Sequence, residues 1–195
     1  MKVVLVFLSF ALVSVQLLGQ QPVPVKPRIL VSTDIGGTDP DDNQSLAHLL
    51  MYSDKFDIEG LVSSPSYGDG KKEEILRMID LYEQDLPKLK KHSKGFLSPD
   101  YLRSVTKQGR KGAAPYNGIS RATEGSNWII KCARKNSEQP LWVLGWADLI
   151  ILLRRCMMHL TFRKIYAFIG SADRTRSGAP IATLTLPGTF QSFGL

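Results

Sequence analysis

A predicted strand, an acidic turn and a predicted helix follow one another between residues 28 and 52, and this order constrains the fold more than any other feature. The short apolar run Arg28–Val31 is typical of a buried strand, and the leucines within Ser45–Tyr52 indicate a helix. Buried strands that lead directly into helices are typical of a parallel sheet covered by helices. We therefore predict an α/β fold with an open, parallel, Rossmann-like sheet.

The turn between this strand and this helix carries four carboxylates, at Asp34, Asp39, Asp41 and Asp42, among glycines and a proline. Open parallel sheets bind ligands in the crevice at the carboxyl ends of their strands, which is where this turn lies. Crowded carboxylates repel one another unless a cation or a proton lies among them. Ca²⁺ prefers such oxygen ligands. The turn is therefore a candidate metal site at the rim of an active site.

A purely structural interpretation of the same residues stays open. Asp41 and Asp42 could favour the helix N-terminus, where the helix dipole prefers negative charge. Asp34 and Asp39 could stabilise the turn through side-chain hydrogen bonds to the backbone. The spacing of the four carboxylates does not match the calcium loop of an EF-hand.

Residues 28–70, RILVSTDIGGTDPDDNQSLAHLLMYSDKFDIEGLVSSPSYGDG, resemble the opening of a nucleoside hydrolase-like family that is sometimes labelled cellulose-binding. The family is related to inosine-uridine nucleoside hydrolases. The resemblance implies that Asp34 binds Ca²⁺ and orients or deprotonates the attacking water. It also implies that Asp42 binds the metal and that Asp41 contacts sugar hydroxyls. Asn43, directly after this pair, is a further candidate for substrate binding.

Two departures from true nucleoside hydrolases concern the geometry of the three carboxylates and the substrate, in that order. The turn between Asp34 and Asp41 is longer here than in those enzymes. After the second predicted strand, where they usually carry an Asn that helps to hold the ribose, this chain carries Ser63–Ser64–Pro65. The resemblance therefore does not imply specificity for ribose.

Further segments predict elements that support the same fold. Residues 71–82 have apolar side chains at helical spacing, and Leu141–Leu144 is typical of a buried strand. Ser98 and Pro99 are a plausible cap and first residue of a short helix. Thr123–Ser126 resembles the family's Thr-Asp-Gly-Ser signature and opens a predicted helix through Cys132, where it could receive a ligand or simply cap the helix.

The family pattern stops at Trp146, and we infer a shifted reading frame beyond it. Restoring one G after the Trp146 codon, with permitted codons elsewhere, converts the next residues to WGGLDNIAQALHDAPDI. The same shift converts Tyr166–Ser177 to VYWIGGPNKKWS and Thr183–Leu195 to YIAGNFPKFWL, and all three strings resemble the family. We therefore expect a truncated domain over residues 28–146, an out-of-frame tail over 147–195 and an inactive chain.

The positive charge of the chain does not point to a nucleic acid partner. The formal net charge is +7, and residues 147–195 contribute five Arg and one Lys against two Asp, which is four of those seven charges. The rest of the chain shows no basic stripe with interleaved aromatic residues. We therefore expect no nucleic acid partner.

The N-terminal residues are typical of a protein that is exported. Lys2 followed by the apolar run Val3–Leu18 predicts a signal peptide over residues 1–20, and the Pro-rich residues 21–27 predict a linker. The apolar run is short and has a polar exit, which argues against a membrane span. A secreted or periplasmic location follows, with no membrane span once the signal peptide is removed.

Two main functions remain open from the sequence. The first is calcium-assisted hydrolysis of N-glycosidic or related glycosidic bonds by the intact form, acting on a nucleoside or a carbohydrate. The second is non-catalytic binding of a carbohydrate such as cellulose, with Tyr67 and Tyr116 as possible stacking platforms. A third interpretation is a fragment without a stable fold. Cys132 is expected to be a small buried apolar residue, not a disulfide partner.

Overall fold

The computed structural model describes residues 25–37, 40–64, 70–112 and 121–146, together with the backbone of three strands between residues 165 and 193. The helices are α1 (Asp41–Met51), α2 (Lys72–Leu89), α3 (Pro99–Val105) and α4 (Glu124–Arg134). The strands are β1 (Arg28–Thr33), β2 (Asp57–Ser63), β3 (Thr106–Gln108), β4 (Leu141–Gly145), β5 (Ile165–Ile169), β6 (Ile181–Thr185) and β7 (Thr189–Phe193).

Five of these strands form one parallel sheet in the order β3-β2-β1-β4-β5. The central strand β1 is buried at all six positions, as a strand with helices on both faces must be. The remaining strands, β6 and β7, form a separate antiparallel pair. The prediction of an open, parallel α/β sheet is confirmed.

Helices cover both faces of this sheet. Apolar residues of α1 and α2 pack with Ile29 and Val31 of β1 in the main core, which also contains Leu102 of α3. On the opposite face, α4 packs against β2, because Gly125 lies close to Val62 and Trp128 lies close to Gly60. The strand-to-helix connections therefore bring the residues that follow each strand to one edge of the sheet.

The observed elements are longer than the apolar pattern predicts. Strand β1 continues two residues past Val31, and α1 begins at Asp41, four residues before Ser45. The first turn of α1 is polar, so apolar periodicity could not detect it, but two acidic side chains suit its positive dipole end. The Ser98 cap of α3 is confirmed, since its hydroxyl accepts a hydrogen bond from the Tyr101 N–H at 3.2 Å.

Cys132 is 7% exposed, which confirms its prediction as a buried residue. Burial raises the pKa of its thiol to about 11. In the part of the chain that the structure describes, no helix is long and apolar enough to cross a membrane. The predicted signal peptide over residues 1–20 and most of the linker lie outside the described residues.

Candidate active site

The carboxyl end of β1 lies between the ends of its two neighbours in the sheet. Thr33 is in register with Ser63 at the end of β2, and Ser32 is in register with Gly145 at the end of β4. Asp34 follows directly and begins a tight turn in which the Gly37 N–H donates to the Asp34 carbonyl at 3.0 Å. The predicted acidic turn therefore lies in the crevice where open parallel sheets bind ligands.

Gly36 has a structural reason to be glycine in this turn. Its φ is +86°, in the left-handed region that side chains rarely adopt. A Cβ atom at this position would also lie 3.0 Å from the Cβ of Lys71, just before α2. The chain can therefore turn closely over the start of α2 and return to α1 with its aspartates beside the end of β1.

Asp42 is the buried carboxylate of this turn, with 5% of its surface exposed. Its Oδ2 atom accepts hydrogen bonds from the Asp34 N–H at 3.0 Å and from the Thr33 hydroxyl. The same Thr33 oxygen accepts the Ile35 N–H at 3.0 Å. Asp42 therefore ties the first turn of α1 to the end of β1, and these contacts fix the orientation of its carboxylate.

The surroundings of Asp42 disfavour its ionised form. Burial raises the pKa of the Asp42 carboxyl to about 7, and the charges of Asp34 and Asp41 add to this rise, while the hydrogen bond from Thr33 opposes it. A carboxylate that is short of compensating charge in this way is stabilised by a nearby cation.

The other predicted site residues lie around Asp42 and are more accessible. Asp34 is half-buried, Asp41 is exposed and Asn43 is of intermediate exposure. The Asp41 carboxylate accepts the Asp42 N–H at 2.9 Å, and the Asn43 N–H donates to the Pro40 carbonyl at 3.1 Å. Asp41 thus contributes to the start of the helix, as the structural interpretation expected, and Asp34 leads into the turn.

The carboxylate oxygens of this turn suit a hard cation such as Ca²⁺. Those of Asp42 are buried and, in the part of the chain that the structure describes, have no positive charge beside them that would favour the ionised form. Within the described ranges, however, no group of three or more His, Cys, Asp or Glu side chains is arranged to hold a metal ion. Asp39 lies outside those ranges. Asp34 and Asp42 therefore stay predicted ligands of a metal, and the described residues complete no set of three.

Ser63 lies in this region and is not among the site residues predicted from the sequence. Its segment, Ser63–Ser64–Pro65, was noted only because true nucleoside hydrolases usually carry an Asn there. Its hydroxyl oxygen is buried and makes no hydrogen bond, while its backbone carbonyl accepts the Gly109 N–H at 2.8 Å. Ser63 is the register partner of Thr33, which binds Asp42. In the sequence, its position directly after the apolar residues of β2 was the feature that could have placed Ser63 at the same edge of the sheet as Asp34.

The Thr123–Ser126 segment caps α4, which is the simpler of its two predicted roles. The Thr123 side chain accepts the Ser126 N–H at 3.0 Å, and the Ser126 side chain accepts the Thr123 N–H at 2.9 Å. Glu124 pairs with Lys72 and Lys107, each at 3.5 Å. These contacts account for the polar groups of the segment without a ligand.

Comparison with protein families adds to this geometry. Residues 28–159 match the family described as "Cellulose-binding Sde182, nucleoside hydrolase-like domain". The chain belongs to this nucleoside hydrolase-like family. The resemblance seen in residues 28–70 is thereby confirmed. The match continues past Trp146, and the shifted reading frame after that residue stays a prediction.

A solved structure supports the same assignment. A nucleoside hydrolase-related protein from Saccharophagus degradans, described as associated with carbohydrate metabolism, superimposes with a TM-score of 0.64 at 25% sequence identity. The similarity covers 74% of this chain and 38% of that protein, so this chain spans well under half of that neighbour's length. No curated protein shows significant similarity to the chain.

Proposed function

We propose that this nucleoside hydrolase-like domain, in its intact form, hydrolyses N-glycosidic or related glycosidic bonds with the help of Ca²⁺. One observation carries the proposal. Asp42 is buried at the carboxyl end of β1, is oriented by Thr33 and the Asp34 backbone, and is short of positive charge. A carboxyl group that only favoured the start of the helix would not need to be buried within the electrostatic influence of two other carboxylates.

In this proposal Asp34 and Asp42 hold the metal, which when bound supplies a positive charge that lowers the pKa of a water molecule and positions it for attack. Asp34 is the accessible member of the pair, so its carboxylate would be the group that takes a proton from the attacking water as a general base. Asp42 keeps its orientation through its two hydrogen bonds to the end of β1. In this scheme Asp34 acts on the water, and Asp42 keeps the metal ligands in a fixed orientation.

Asp41 and Asn43 bind the substrate in this scheme. The exposed Asp41 carboxylate accepts hydrogen bonds from sugar hydroxyls, and the Asn43 amide can donate and accept. The second strand ends in Ser63 and Ser64 and not in an Asn. We therefore propose a sugar other than, or in addition to, ribose as the substrate.

The test measures calcium-dependent release of base or reducing sugar from nucleosides and oligosaccharides. It uses the 195-residue chain and a longer form translated through the restored frame, and we expect activity from the longer form alone. In that form Asp34→Ala should abolish both turnover and calcium binding, whereas Asp85→Ala on the exposed surface of α2 should change neither. Retained turnover in Asp34→Ala would reject the proposed role of Asp34.

A second candidate function is binding of a carbohydrate without cleavage. The family description, which names cellulose binding, favours it. A pull-down with insoluble cellulose, followed by analysis of released sugar, separates the two functions. A binding protein is retained and leaves the polysaccharide unchanged with or without Ca²⁺, whereas a hydrolase releases product only with Ca²⁺. Tyr67 and Tyr116, the predicted stacking residues, lie outside the described residues.

We also propose that the protein is exported, because of its N-terminal apolar run. Mass spectrometry of the mature protein from its native source should find a new N-terminus near Gly19 or Gln20. A mature protein that retains Met1 and Lys2 would contradict export through this signal.

A further inference from the structure

A cavity lies between α3 and α4, against β2, and none of the aspartates of the acidic turn lines it. Its volume is about 960 Å³, which is at the upper end of the range for small-molecule sites. Glu59, in the first half of β2, lines it. The cavity is therefore separate from the proposed active site at the carboxyl end of the sheet.

The carboxylate in this cavity, that of Glu59, already has cationic hydrogen-bond partners. The Glu59 side chain is 5% exposed, and its two oxygens accept hydrogen bonds from Arg28 at 2.8 and 2.9 Å. Lys135 adds a third hydrogen bond at 2.7 Å. Although burial opposes ionisation, these contacts hold the pKa of Glu59 below its usual value. Glu59 therefore offers no free negative charge to attract a cation.

Basic side chains dominate the rest of the lining. Lys131, Arg134 and Lys135 line the cavity together with Glu59, so three cationic groups face one carboxylate. Among the described residues, no carboxylate pairs with Lys131. Its ammonium group instead lies 4.5 Å from the ring centroid of Trp128. The net charge of the lining is positive, which favours an anionic ligand.

Apolar groups form the remaining wall. Val105 and Ile130 line the cavity beside the rings of Tyr101 and Trp128. The Tyr101 hydroxyl donates to the Ile58 carbonyl at 3.0 Å, and the Trp128 N–H donates to the Glu59 carbonyl at 2.8 Å. Both rings are therefore held in place by the backbone of β2. The Trp128 ring carries the ammonium groups of Lys107 and Lys131, each 4.5 Å from its centroid, so the Tyr101 ring and the two aliphatic side chains are the surface that can pack against the body of a ligand.

We propose that this cavity binds a small organic anion, in which a phosphate or carboxylate group is attached to an apolar ring. The anionic group contacts Lys131 and its basic neighbours, and the ring packs against the apolar wall. The proposal does not depend on the proposed hydrolysis, because no residue is shared between the two sites.

The test is isothermal titration calorimetry of the 195-residue chain at low salt with phenyl phosphate, benzoate, inorganic phosphate and benzyl alcohol as probes. We expect one of the two aromatic anions to bind at least tenfold more tightly than benzyl alcohol and inorganic phosphate, and the tighter one identifies the anionic group. Its affinity should fall when salt is raised, because the contact is electrostatic. Equal affinity for benzyl alcohol, or no binding of either aromatic anion, would overturn the proposal.

Two variants locate the binding. Lys131→Gln removes an exposed charge at the cavity and should weaken binding about tenfold, the effect of one charge-assisted hydrogen bond. The matched control Lys88→Gln removes an exposed charge on α2 and should leave the affinity unchanged. Asp34→Asn, in the acidic turn, should also bind the probe normally. Unchanged binding in Lys131→Gln would show that the anion binds elsewhere.

Discussion

Asp42 and Glu59 are two buried acidic residues with opposite electrostatic surroundings. Asp42 is held by neutral donors and lies near two other carboxylates, so its ionised form is disfavoured. Glu59 is held by an Arg and a Lys, so its ionised form is favoured. This difference fits a site that needs a cation at Asp42 and a structural ion pair at Glu59.

The charge of Asp42 makes metal-free stability depend on pH. Because the pKa of Asp42 is raised to about 7 from 3.8, the folded state binds its proton more tightly than the unfolded state does. The contribution of the protonated Asp42 to the free energy of unfolding is therefore fully present below pH 3.8, and this contribution is lost as the pH rises through about 7. With EDTA present, we expect the free energy of unfolding in urea to fall by on the order of 2 kcal/mol between about pH 5 and about pH 8.

The matched variant for this effect is Asp42→Asn, which keeps a carbonyl acceptor for the Asp34 N–H but cannot ionise. It should lose most of the pH dependence, whereas Asp41→Asn, at an exposed position, should keep most of it. An unchanged slope in Asp42→Asn would show that the Asp42 carboxyl titrates normally.

Removing the charge of Glu59 should destabilise the fold. Glu59→Gln has nearly the same shape but leaves the Arg28 guanidinium buried without its counter-ion. We expect a loss of ~3–5 kcal/mol in the free energy of unfolding. Glu83→Gln, which breaks a solvent-exposed pair with Arg103, should have little effect. Equal effects of the two variants in urea titrations would contradict the structural role of Glu59.

The sequence could indicate one of these two clusters and not the other. Asp34, Asp41 and Asp42 are close along the chain, so the amino-acid sequence alone predicts that their carboxylates crowd together. Arg28 and Glu59 are far apart along the chain and meet because β1 and β2 pair in parallel, with Arg28 opposite Asp57. The apolar run of β2 could place Ser63 at this edge of the sheet, but the sequence could not show that its buried hydroxyl lacks a hydrogen-bond partner among the described residues.

At the scale of helices and strands, apolar runs were reliable, and the start of α1 is the helix start that they missed. Parallel strands buried on both faces need continuous apolar residues, and for this reason β1, β2 and β4 were recognisable. The first turn of α1 is polar, with the Asn43 and Gln44 N–H groups both bonded to the Pro40 carbonyl. Charge and backbone hydrogen bonds determine where α1 begins, and the spacing of apolar residues carries no information about either.

The close approach of α4 to the sheet depends on Gly125. A Cβ atom there would lie 2.5 Å from Cγ1 of Val62 and 3.1 Å from the Cα of Gly109. Although Ala favours helices over Gly by ~1 kcal/mol, we expect Gly125→Ala to lower the free energy of unfolding by ~1–3 kcal/mol through overpacking.

Gly95→Ala is the control for Gly125→Ala, since the nearest atoms to a new Cβ there are 3.5 Å away, at ordinary contact distance. It should leave stability nearly unchanged in the same urea titration. A stabilised Gly125→Ala variant would mean that α4 can move away from β2 at little cost.

At the scale of the whole molecule, the fold and the family could be predicted from the sequence, and the bounds of the domain stay a prediction. The opening strand, turn and helix were sufficient to identify the family, whose match covers residues 28–159. The neighbouring structure is much longer than this chain, which covers 38% of it. The matched part of this chain therefore corresponds to well under half of that structure.

The shifted reading frame is testable directly in the gene. Sequencing across the codons of Gly145, Trp146 and Ala147 and onward past the stop codon should reveal whether one G restores the three family-like strings. A gene whose bases cannot encode WGGLDNIAQALHDAPDI in another frame would reject the shift, and the present tail would then be genuine.

The most direct test of the proposed site is a calcium titration by calorimetry of the EDTA-treated longer form, translated through the restored frame, at about pH 8, where Asp42 is largely ionised. We predict saturable binding of one Ca²⁺ with a Kd of about 1 mM or below, lost in Asp34→Asn and Asp42→Asn and retained in Asp85→Asn. Absence of saturable binding, or equal binding by wild type and Asp42→Asn, would contradict a metal site at the carboxyl end of β1.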